Sequence, residues 1–470
     1  MIMRFLQDIQ TRLASARSAV TELPTTGIFH YLRENPGSKV RMHLRLEQDG
    51  KGLLMVNASR AYHLNPSAAC MAFLNLEGCS EEKAARALTR RFRVTRQQAL
   101  EDYRAFNEQM TVMTNPDEHC SVCELDLDTN APFSARPSAP YRMDLAITYR
   151  CNNNCAHCYN ARSRQYPELS TGQWKKILDQ LWGIGIPHIV FTGGEPTLRE
   201  DLPELIAHAE HNGQITGINT NGRRLQDREF LRALTDAGLD HVQITLESHD
   251  PAIHDRMVRA NGAWHDTVAG LRAALDSRLF VMTNTTLLRH NVPNLAETLQ
   301  FLADTGVPTV GLNALIYSGR GLNVDSGLAE EELPPLLELA RKATLNTGQK
   351  LIWYTPTQYC HFDPMQLELG VKGCTAALYN MCVEPDGSVL PCQSYYQPLG
   401  NLLLDSWDSI WNHDLAVSLR ERRNLPIDCQ ACALLLECGG GCPLARQANP
   451  HLQPHTIYDS LATSFKPDHP

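Results

Sequence analysis

The sequence predicts an α/β protein whose centre is a partial barrel of six β/α units. A small winged-helix-like α+β domain precedes the barrel, and a cysteine-rich domain follows it. Three observations support this prediction. Strand-like and helix-like segments alternate between residues 141 and 345, residues 113–140 form a linker rich in Asp, Pro, Ser and Ala, and the fifteen cysteines are concentrated in a few groups.

Length and composition set the class of protein. At 470 residues the chain exceeds one ordinary domain, and its 43% hydrophobic content suffices for a substantial core. A net charge of −9 argues against a general nucleic-acid-binding protein. Because no run of 18 apolar residues predicts a membrane span and the N-terminus lacks the apolar stretch of a signal peptide, we expect a cytoplasmic protein. There, cysteines favour metal or redox chemistry over disulfides.

The N-terminal part divides into two predicted segments. Residues 1–40 are expected to form a helical extension, because the first twenty, MIMRFLQDIQTRLASARSAV, are amphipathic. Residues 41–112 contain three short strand-like runs and then three helical stretches, two of which begin at Ser80 and Thr95. This order indicates the winged-helix-like module.

The linker and the barrel follow. Within the linker, Cys120 and Cys123 form a CxxC pair that is compatible with metal or redox use and also with plain free thiols. The barrel strands are predicted at residues 143–148, 188–191, 215–219, 241–246, 280–287 and 309–315. In β/α folds of this kind the chemistry lies at the C-terminal ends of the strands. Residues from 346 to 470 lack that alternation and are predicted to form a small metal-stabilised domain.

Three cysteines directly follow the first barrel strand. Cys151, Cys155 and Cys158 have the spacing CxxxCxxC. Three thiolates on one loop can hold a cubane iron–sulfur cluster and leave one of its four irons open to a small molecule. For the triplet taken alone, a structural zinc site is the alternative. The segment TGGEP follows the second strand, and its glycines let the backbone approach a ligand closely.

Together, CxxxCxxC and TGGEP resemble the signature of the radical S-adenosylmethionine (radical SAM) enzymes, and the resemblance covers residues 141–320. It implies that a [4Fe–4S] cluster on the three cysteines cleaves S-adenosylmethionine to a 5′-deoxyadenosyl radical, which abstracts hydrogen from a C–H bond. It also implies that TGGEP meets the methionine amino group, that TNTNG lies near the nucleoside and that the VQITLES stretch, where relatives often carry Ser and Asp, takes part. The implied cofactor-binding residues are Gly193, Gly194, Glu195, Pro196, Asn219, Asn221, Thr245, Glu247 and, for the methionine carboxylate, Arg259.

The C-terminal cysteines resemble a second family pattern. Cys374, Gly387, Cys392 and the final group Cys429-x2-Cys432-x5-Cys438-x3-Cys442 are similar to the SPASM extension. The resemblance implies one or two auxiliary [4Fe–4S] clusters, the first on Cys374, Cys392, Cys442 and Cys360, the second on Cys429, Cys432 and Cys438. The second set lacks a cysteine downstream of Cys442, so it has an open iron, a non-cysteine ligand or no cluster. The candidate non-cysteine ligands are His451, His455 and Asp459.

Two further alternatives concern these cysteines. Cys382 competes with Cys360 as a ligand of the first cluster, but its strand-like surroundings, MCVEP, are also those of a core residue. The final group taken alone would also suit a structural Zn²⁺ ion.

Residues 41–112 resemble the PqqD-like fold, which implies recognition of the leader of a ribosomally made precursor peptide by strand addition. We therefore expect an enzyme that oxidatively modifies such a peptide, with an electron donor such as flavodoxin or ferredoxin as a further partner and neither nucleic acid nor a membrane. The alternative enzymatic function is cofactor maturation, such as modification of a haem-type tetrapyrrole side chain. A non-catalytic iron–sulfur carrier or peptide-binding protein is the alternative from another class. No proton-handling residue stands out in the sequence.

Overall fold

The computed structural model describes residues 23–35, 38–57, 60–114 and 136–448. The chain divides into two compact units, Met1–Thr129 and Asn130–Pro470. Several predictions fall outside the described residues: the segment 1–22, the CxxC pair Cys120 and Cys123, and the candidate ligands His451, His455 and Asp459. Within the described parts of the chain, no helix has the length and apolar character needed to cross a membrane.

The first unit contains a four-stranded antiparallel sheet in the order β1-β2-β3-β4. Its strands are β1 (Gly27–Asn35), β2 (Ser38–Leu46), β3 (Gly52–Val56) and β4 (Arg60–Leu64). Three helices follow: α1 (Pro66–Leu76), α2 (Glu81–Arg91) and α3 (Arg96–Met113). Met42 and Leu44 of β2 point to the same face of the sheet and are fully buried in one core cluster with Phe73 of α1.

One N-terminal prediction is corrected here. Residues 27–35 and 38–40 were expected within a helical extension, but they form β1 and the start of β2, paired in register from Gly27 opposite Leu46 to Asn35 opposite Ser38. The physical reason is packing: Phe29 and Tyr31 lie on the core side of the sheet, and Phe29 contacts Phe73 edge to face at 4.8 Å between ring centroids. Ser80 does stand at the N-terminus of α2, although its side chain makes no capping hydrogen bond.

The second unit is built on a ten-stranded sheet in the order β11-β10-β9-β8-β7-β6-β5-β12-β13-β14. Seven consecutive strands are parallel: β5 (Arg142–Thr148), β6 (His188–Gly193), β7 (Ile215–Thr220), β8 (His241–Thr245), β9 (Phe280–Thr286), β10 (Thr309–Asn313) and β11 (Lys350–Trp353). The six predicted β/α units are confirmed. The parallel sheet also gains β11, which lies beyond the predicted end of the barrel at residue 345.

The crossover helices pack on this sheet through one apolar face each. They are α4 (Thr171–Ile184), α5 (Leu202–Asn212), α6 (Arg228–Asp236), α7 (Pro251–Val258), α8 (Ala263–Leu275), α9 (Leu295–Asp304) and α10 (Leu333–Thr347). In α4 the buried residues Trp174, Ile177, Leu178 and Leu181 recur with the spacing of one helix face. Ser170 and Gln173 close its N-terminus as a reciprocal capping box.

The cysteine-rich region joins the other edge of the same sheet. Strand β12 (Asn380–Val383) runs parallel to β5, and β13 (Ser388–Leu390) and β14 (Gly400–Asn401) extend the sheet antiparallel. Five short helices follow: α11 (Trp407–Trp411), α12 (Asp414–Arg420), α13 (Ile427–Gln430), α14 (Leu435–Cys438) and α15 (Pro443–Ala448). Because β12 neighbours β5, the C-terminal cysteines are brought to the strand after which the first cysteine triplet lies.

Candidate active site

A cavity of about 980 Å³ opens at the C-terminal ends of the parallel strands. Its volume is at the upper end of the range typical of ligand pockets, roughly 300–1,000 Å³. The structure gathers most of the predicted site residues around it. Those that line it are Cys151, Cys155, Cys158, Gly193, Gly194, Asn219, Asn221, Thr245, Glu247 and, from the C-terminal cysteines, Cys442.

The three thiols after β5 lie within electrostatic reach of one another. Burial raises the pKa of Cys151 to about 11, with smaller contributions from Glu195 and Cys158, while the Asn153 amide opposes this by donating a hydrogen bond to the Cys151 sulfur at 3.4 Å. Burial and then the neighbouring Cys158, Glu247 and Cys151 raise the pKa of Cys155 well above its usual range. Thiolates crowded in this way are stabilised by a cationic metal centre, which removes their protons on binding.

Backbone contacts hold the cysteine loop. The Arg164 guanidinium donates to the carbonyl of Cys151 at 2.7 Å and to that of Asn153. The Arg320 amide donates to the carbonyl of Cys158 at 2.9 Å. Sequence reasoning missed both arginines, because nothing local marks them: Arg320 lies 162 positions after Cys158 in the chain.

The TGGEP segment packs directly on the start of that loop. Gly193 has a φ of +128°, and a Cβ there would stand 2.1 Å from the carbonyl oxygen of Thr148. A Cβ on Gly194 would stand 2.3 Å from the carbonyl oxygen of Arg150. The two glycines therefore line the cavity and also allow the TGGEP backbone to pack closely against the backbone of residues 148–150.

Glu195 lies behind the cavity wall instead of in it. Its carboxylate accepts hydrogen bonds from the amide and hydroxyl of Thr197, the hydroxyl of Thr220 and the amide of Asn221, at 2.6–3.1 Å. Burial raises its pKa, and these donors act in the opposite direction. Glu195 thus ties the end of β6 to the end of β7, and neither Glu195 nor Pro196 is a lining residue.

Of two further predicted residues, Glu247 lines the cavity and Arg259 does not. Glu247 is fully buried, and its carboxylate lies 2.9 Å from Nε2 of His157, the residue between Cys155 and Cys158 that the sequence reasoning passed over. Arg259 is exposed, adopts φ +50° at the end of α7 and does not line the cavity. The structure therefore does not bring Arg259 to the other site residues.

An ion pair links the cysteine loop to the C-terminal hairpin. Arg162 donates from Nε and Nη2 to the fully buried Glu384, at 2.6 and 2.7 Å. The hydroxyl of Tyr149 also donates to Glu384, at 3.1 Å. The hydroxyl of Tyr159, the residue after Cys158, donates to the side-chain oxygen of Gln393, the residue after Cys392. The triplet and the C-terminal cysteines are therefore held against each other by polar contacts.

The C-terminal thiols form two groups. Burial raises the pKa of Cys374 to about 12, with Cys442 as the next cause, and Cys392 responds to both of these thiols. In the other group, burial and then Cys438 and Cys360 raise the pKa of Cys429. Cys360, expected beside Cys374, lies instead with the Cys429 group. Cys382 is buried in β12, packed with Tyr149 and Leu390.

The donor set fits iron–sulfur clusters. In the described parts of the chain no three His, Cys, Asp or Glu side chains form a group that could hold a metal ion. A cubane differs from a single ion, because each of its ligands binds a different iron and the thiolates surround a body of eight atoms. The Asn153 amide donates a hydrogen bond to the Cys151 sulfur, and the Tyr359 amide donates one to the Cys438 sulfur, both at 3.4 Å. Hydrogen bonds of this kind stabilise the thiolates that hold a cluster.

Comparison with known proteins agrees with this geometry. Residues 145–302 match the Radical SAM superfamily, and residues 374–433 match SPASM, an iron-sulfur cluster-binding domain. The Fe-coproporphyrin III synthase of Methanosarcina barkeri is 29% identical over 324 residues, which are 63% of this chain and 81% of that protein. The PqqA peptide cyclase of Bradyrhizobium diazoefficiens is 31% identical over 284 residues, 59% of this chain and 72% of that protein.

A solved structure shares the fold over nearly the whole chain. Streptococcus suis SuiB bound to the precursor peptide SuiA superposes with a TM-score of 0.65 at 16% identity, covering 92% of this chain and 99% of that one. The family matches include the cysteine region from 374 to 433 and, from 145 onward, the first triplet and TGGEP. The chain is therefore an enzyme that uses a [4Fe–4S] cluster with S-adenosylmethionine, and its SPASM domain binds auxiliary iron–sulfur clusters. It belongs to the radical SAM superfamily with a SPASM domain.

Proposed function

We propose that this enzyme abstracts hydrogen from a ribosomally made precursor peptide and completes an oxidative modification of it. The observation that carries the proposal is that one and the same cavity is lined by Cys151, Cys155 and Cys158 and also by Cys442. A substrate in this cavity faces the radical-generating triplet on one side and an auxiliary cysteine set on the other. S-adenosylmethionine bound at the reduced cluster supplies the radical that removes the hydrogen atom.

The chain's own residues position and enclose the reactants. Gly193 and Gly194 give the cofactor close access to the backbone, and Asn219, Asn221 and Thr245 present polar groups along the strand ends. In this proposal Cys151, Cys155 and Cys158 hold the first cluster. The auxiliary sets accept the second electron from the substrate, and a flavodoxin- or ferredoxin-like donor supplies the first.

The first unit supports a peptide substrate. Its antiparallel sheet ends in the outer strands β1 and β4, and three helices follow, as in the PqqD-like modules it resembles. Such modules bind an extended leader as an additional strand. SuiB, whose fold this chain shares, is solved with its precursor peptide, and PqqA peptide cyclase is named for a peptide substrate.

The test incubates the anaerobically reconstituted enzyme with a candidate precursor peptide, taken from short reading frames that neighbour its gene. We expect 5′-deoxyadenosine to accumulate and the peptide to lose a few hydrogens by mass spectrometry. The peptide without its leader should be modified far more slowly, and Cys155→Ala should be inactive on both. A peptide that keeps its mass while deoxyadenosine stays at the uncoupled background would overturn the proposal.

A tetrapyrrole is the second candidate substrate. Arg142, Arg162, Arg164, Arg320 and Arg446 line the cavity, but Arg142 and Arg162 are paired with Asp144 and Glu384. The other three donate to carbonyl or amide oxygens, and their guanidinium groups suit the propionate carboxylates of such a ring. The similarity to Fe-coproporphyrin III synthase points the same way. Adding an iron coproporphyrin in place of the peptide decides between them: coupled deoxyadenosine formation with the tetrapyrrole alone favours this second function.

A further inference from the structure

Cys360 lies on a turn that packs against the final cysteine group. The amide of Tyr359 donates to the Cys438 sulfur at 3.4 Å, and that sulfur lies 3.7 Å from the carbonyl oxygen of Thr357. A Cβ on Gly441 would stand 2.7 Å from Cγ of Gln358. Residues 357–359 therefore touch Cys438 and Gly441 directly, and Cys360 follows immediately in the chain.

The electrostatic contacts of the thiols divide in the same way. The Cys360 thiol acts on both Cys429 and Cys438, and Cys432 acts on Cys429. Cys442 acts on Cys374, and both of these thiols act on Cys392. The C-terminal thiols that the structure describes outside β12 thus fall into a group of four and a group of three.

We infer that Cys360 is the fourth thiolate ligand of the auxiliary cluster held by Cys429, Cys432 and Cys438. This ligand lies upstream of the other three in the chain. The SPASM resemblance, in contrast, implies a fourth ligand downstream of Cys442. Residues 443–470 contain no cysteine, and the Cys360 turn offers a thiol to this cluster from within the described residues. Each thiol binds its iron as a thiolate and gives up its proton to the solvent on loading.

This assignment has a consequence for the other set. The other cluster then has three cysteine ligands among the described residues: Cys374, Cys392 and Cys442. Of these, Cys442 lines the cavity. The inference concerns cluster ligation alone and is independent of the substrate, because the ligands can be identified without adding one.

The experiment uses the full-length chain with Cys151, Cys155 and Cys158 changed to Ala, so that only auxiliary clusters bind. After anaerobic reconstitution, iron, sulfide, the EPR spectrum of the dithionite-reduced protein and the reduction potentials are measured. In this background we make Cys360→Ala, Cys429→Ala and Cys374→Ala, then the two double variants that combine Cys360→Ala with each of the others. Cys70→Ala is the matched control, because Cys70 is a buried cysteine of the first unit and is not one of the C-terminal thiols.

We expect Cys360→Ala and Cys429→Ala to remove about four irons each, and their combination to remove no more than either alone. Cys360→Ala with Cys374→Ala should remove about eight. If the cluster persists on three ligands after one substitution, Cys360→Ala and Cys429→Ala should alter the EPR signal and the reduction potential of the same cluster.

Two outcomes would overturn the inference. In one, Cys360→Ala adds to the loss caused by Cys429→Ala but not to that caused by Cys374→Ala, which would make Cys360 a ligand of the first set. In the other, Cys360→Ala keeps the iron content, EPR spectrum and potentials of the parent, as Cys70→Ala is expected to do. Either result is obtained without substrate and leaves the proposed peptide modification untouched.

Discussion

The imidazole of His157 is hydrogen-bonded to the buried carboxylate of Glu247, with 2.9 Å between Nε2 and Oε1. The second carboxylate oxygen accepts the amide of Thr286 at 2.9 Å. His157 lies inside the cysteine triplet, whereas Glu247 follows β8 and Thr286 ends β9. One carboxylate therefore fixes the cluster loop to the ends of two parallel strands.

Glu247→Ala should loosen this connection. Two buried donors, the His157 ring and the Thr286 amide, lose their acceptor, which costs about 3 kcal/mol of unfolding free energy. The displaced loop should also slow 5′-deoxyadenosine formation roughly 10- to 100-fold. Denaturant unfolding and product assays under anaerobic conditions measure both effects. Glu297→Ala, at an exposed position of α9, should stay within about 0.5 kcal/mol of the parent, and equal behaviour of the two variants would refute the role given to Glu247.

Gly194→Ala should disrupt the contact between TGGEP and the cysteine loop. The added Cβ would meet only backbone atoms, the carbonyl oxygens of Arg150 and Tyr149 at 2.3 and 2.6 Å, so no flexible side chain can give way. We expect a loss of about 3 kcal/mol in stability and less iron on the first triplet. Gly183→Ala, in α4 with nothing within 4 Å of the new Cβ, should instead stabilise the protein by about 0.5–1 kcal/mol. A stable, fully loaded Gly194→Ala protein would contradict the structure.

Arg162→Met should leave the Glu384 carboxylate buried without its cation. Arg162 is partly exposed and Tyr149 still donates to Glu384, so we expect a loss of about 2–3 kcal/mol, because the buried carboxylate charge stays desolvated. In the double variant Arg162→Met with Glu384→Leu, more than half of the lost stability should return. Urea unfolding of the single and double variants completes a thermodynamic cycle. If the two changes are simply additive, the ion pair does not hold the loop to the hairpin.

His241 should make the protein less stable in acid. Burial, and then the positive charge of Arg142, lowers the pKa of His241 from 6.5 to about 4. Between these values the unfolded chain binds a proton that the folded chain excludes, so stability is present above pH 6.5 and is lost as the pH falls to about 4.

The measurement compares the parent with His241→Gln in urea at pH 7, 5.5 and 4.5. The parent should lose up to about 3 kcal/mol more than the variant across this window. His290→Gln, at an exposed position, serves as the control and should follow the parent. Parallel curves for the parent and His241→Gln would show that His241 is not the group responsible.

The alternation of strand and helix was readable because each β/α unit buries its own apolar residues. Trp174, Ile177 and Leu181 mark one face of α4, and β6 is a short apolar run, so the barrel could be predicted from local pattern. The N-terminal helix prediction failed over residues 27–35 and 38–40 because the pairing partner of β1 lies in β2. Strand pairing depends on a neighbour that no single segment announces.

The site was predictable where spacing alone sets the chemistry. Three cysteines within eight positions must lie on one loop, and Gly193 and Gly194 meet a steric demand that only glycine satisfies. The role of Glu195 could not be read in this way, since its donors Thr220 and Asn221 belong to the next strand.

By itself, the sequence determined the ligand types, their grouping along the chain and the barrel that carries them, because these follow from covalent spacing and from the period of apolar residues. The tertiary structure decided which distant groups meet: Glu247 with His157, Glu384 with Arg162, and Tyr359 with Cys438. Hydrogen bonds and ion pairs depend on distances of a few ångströms between residues some 80 to 220 positions apart. Only the folded packing of strands and loops brings such residues together.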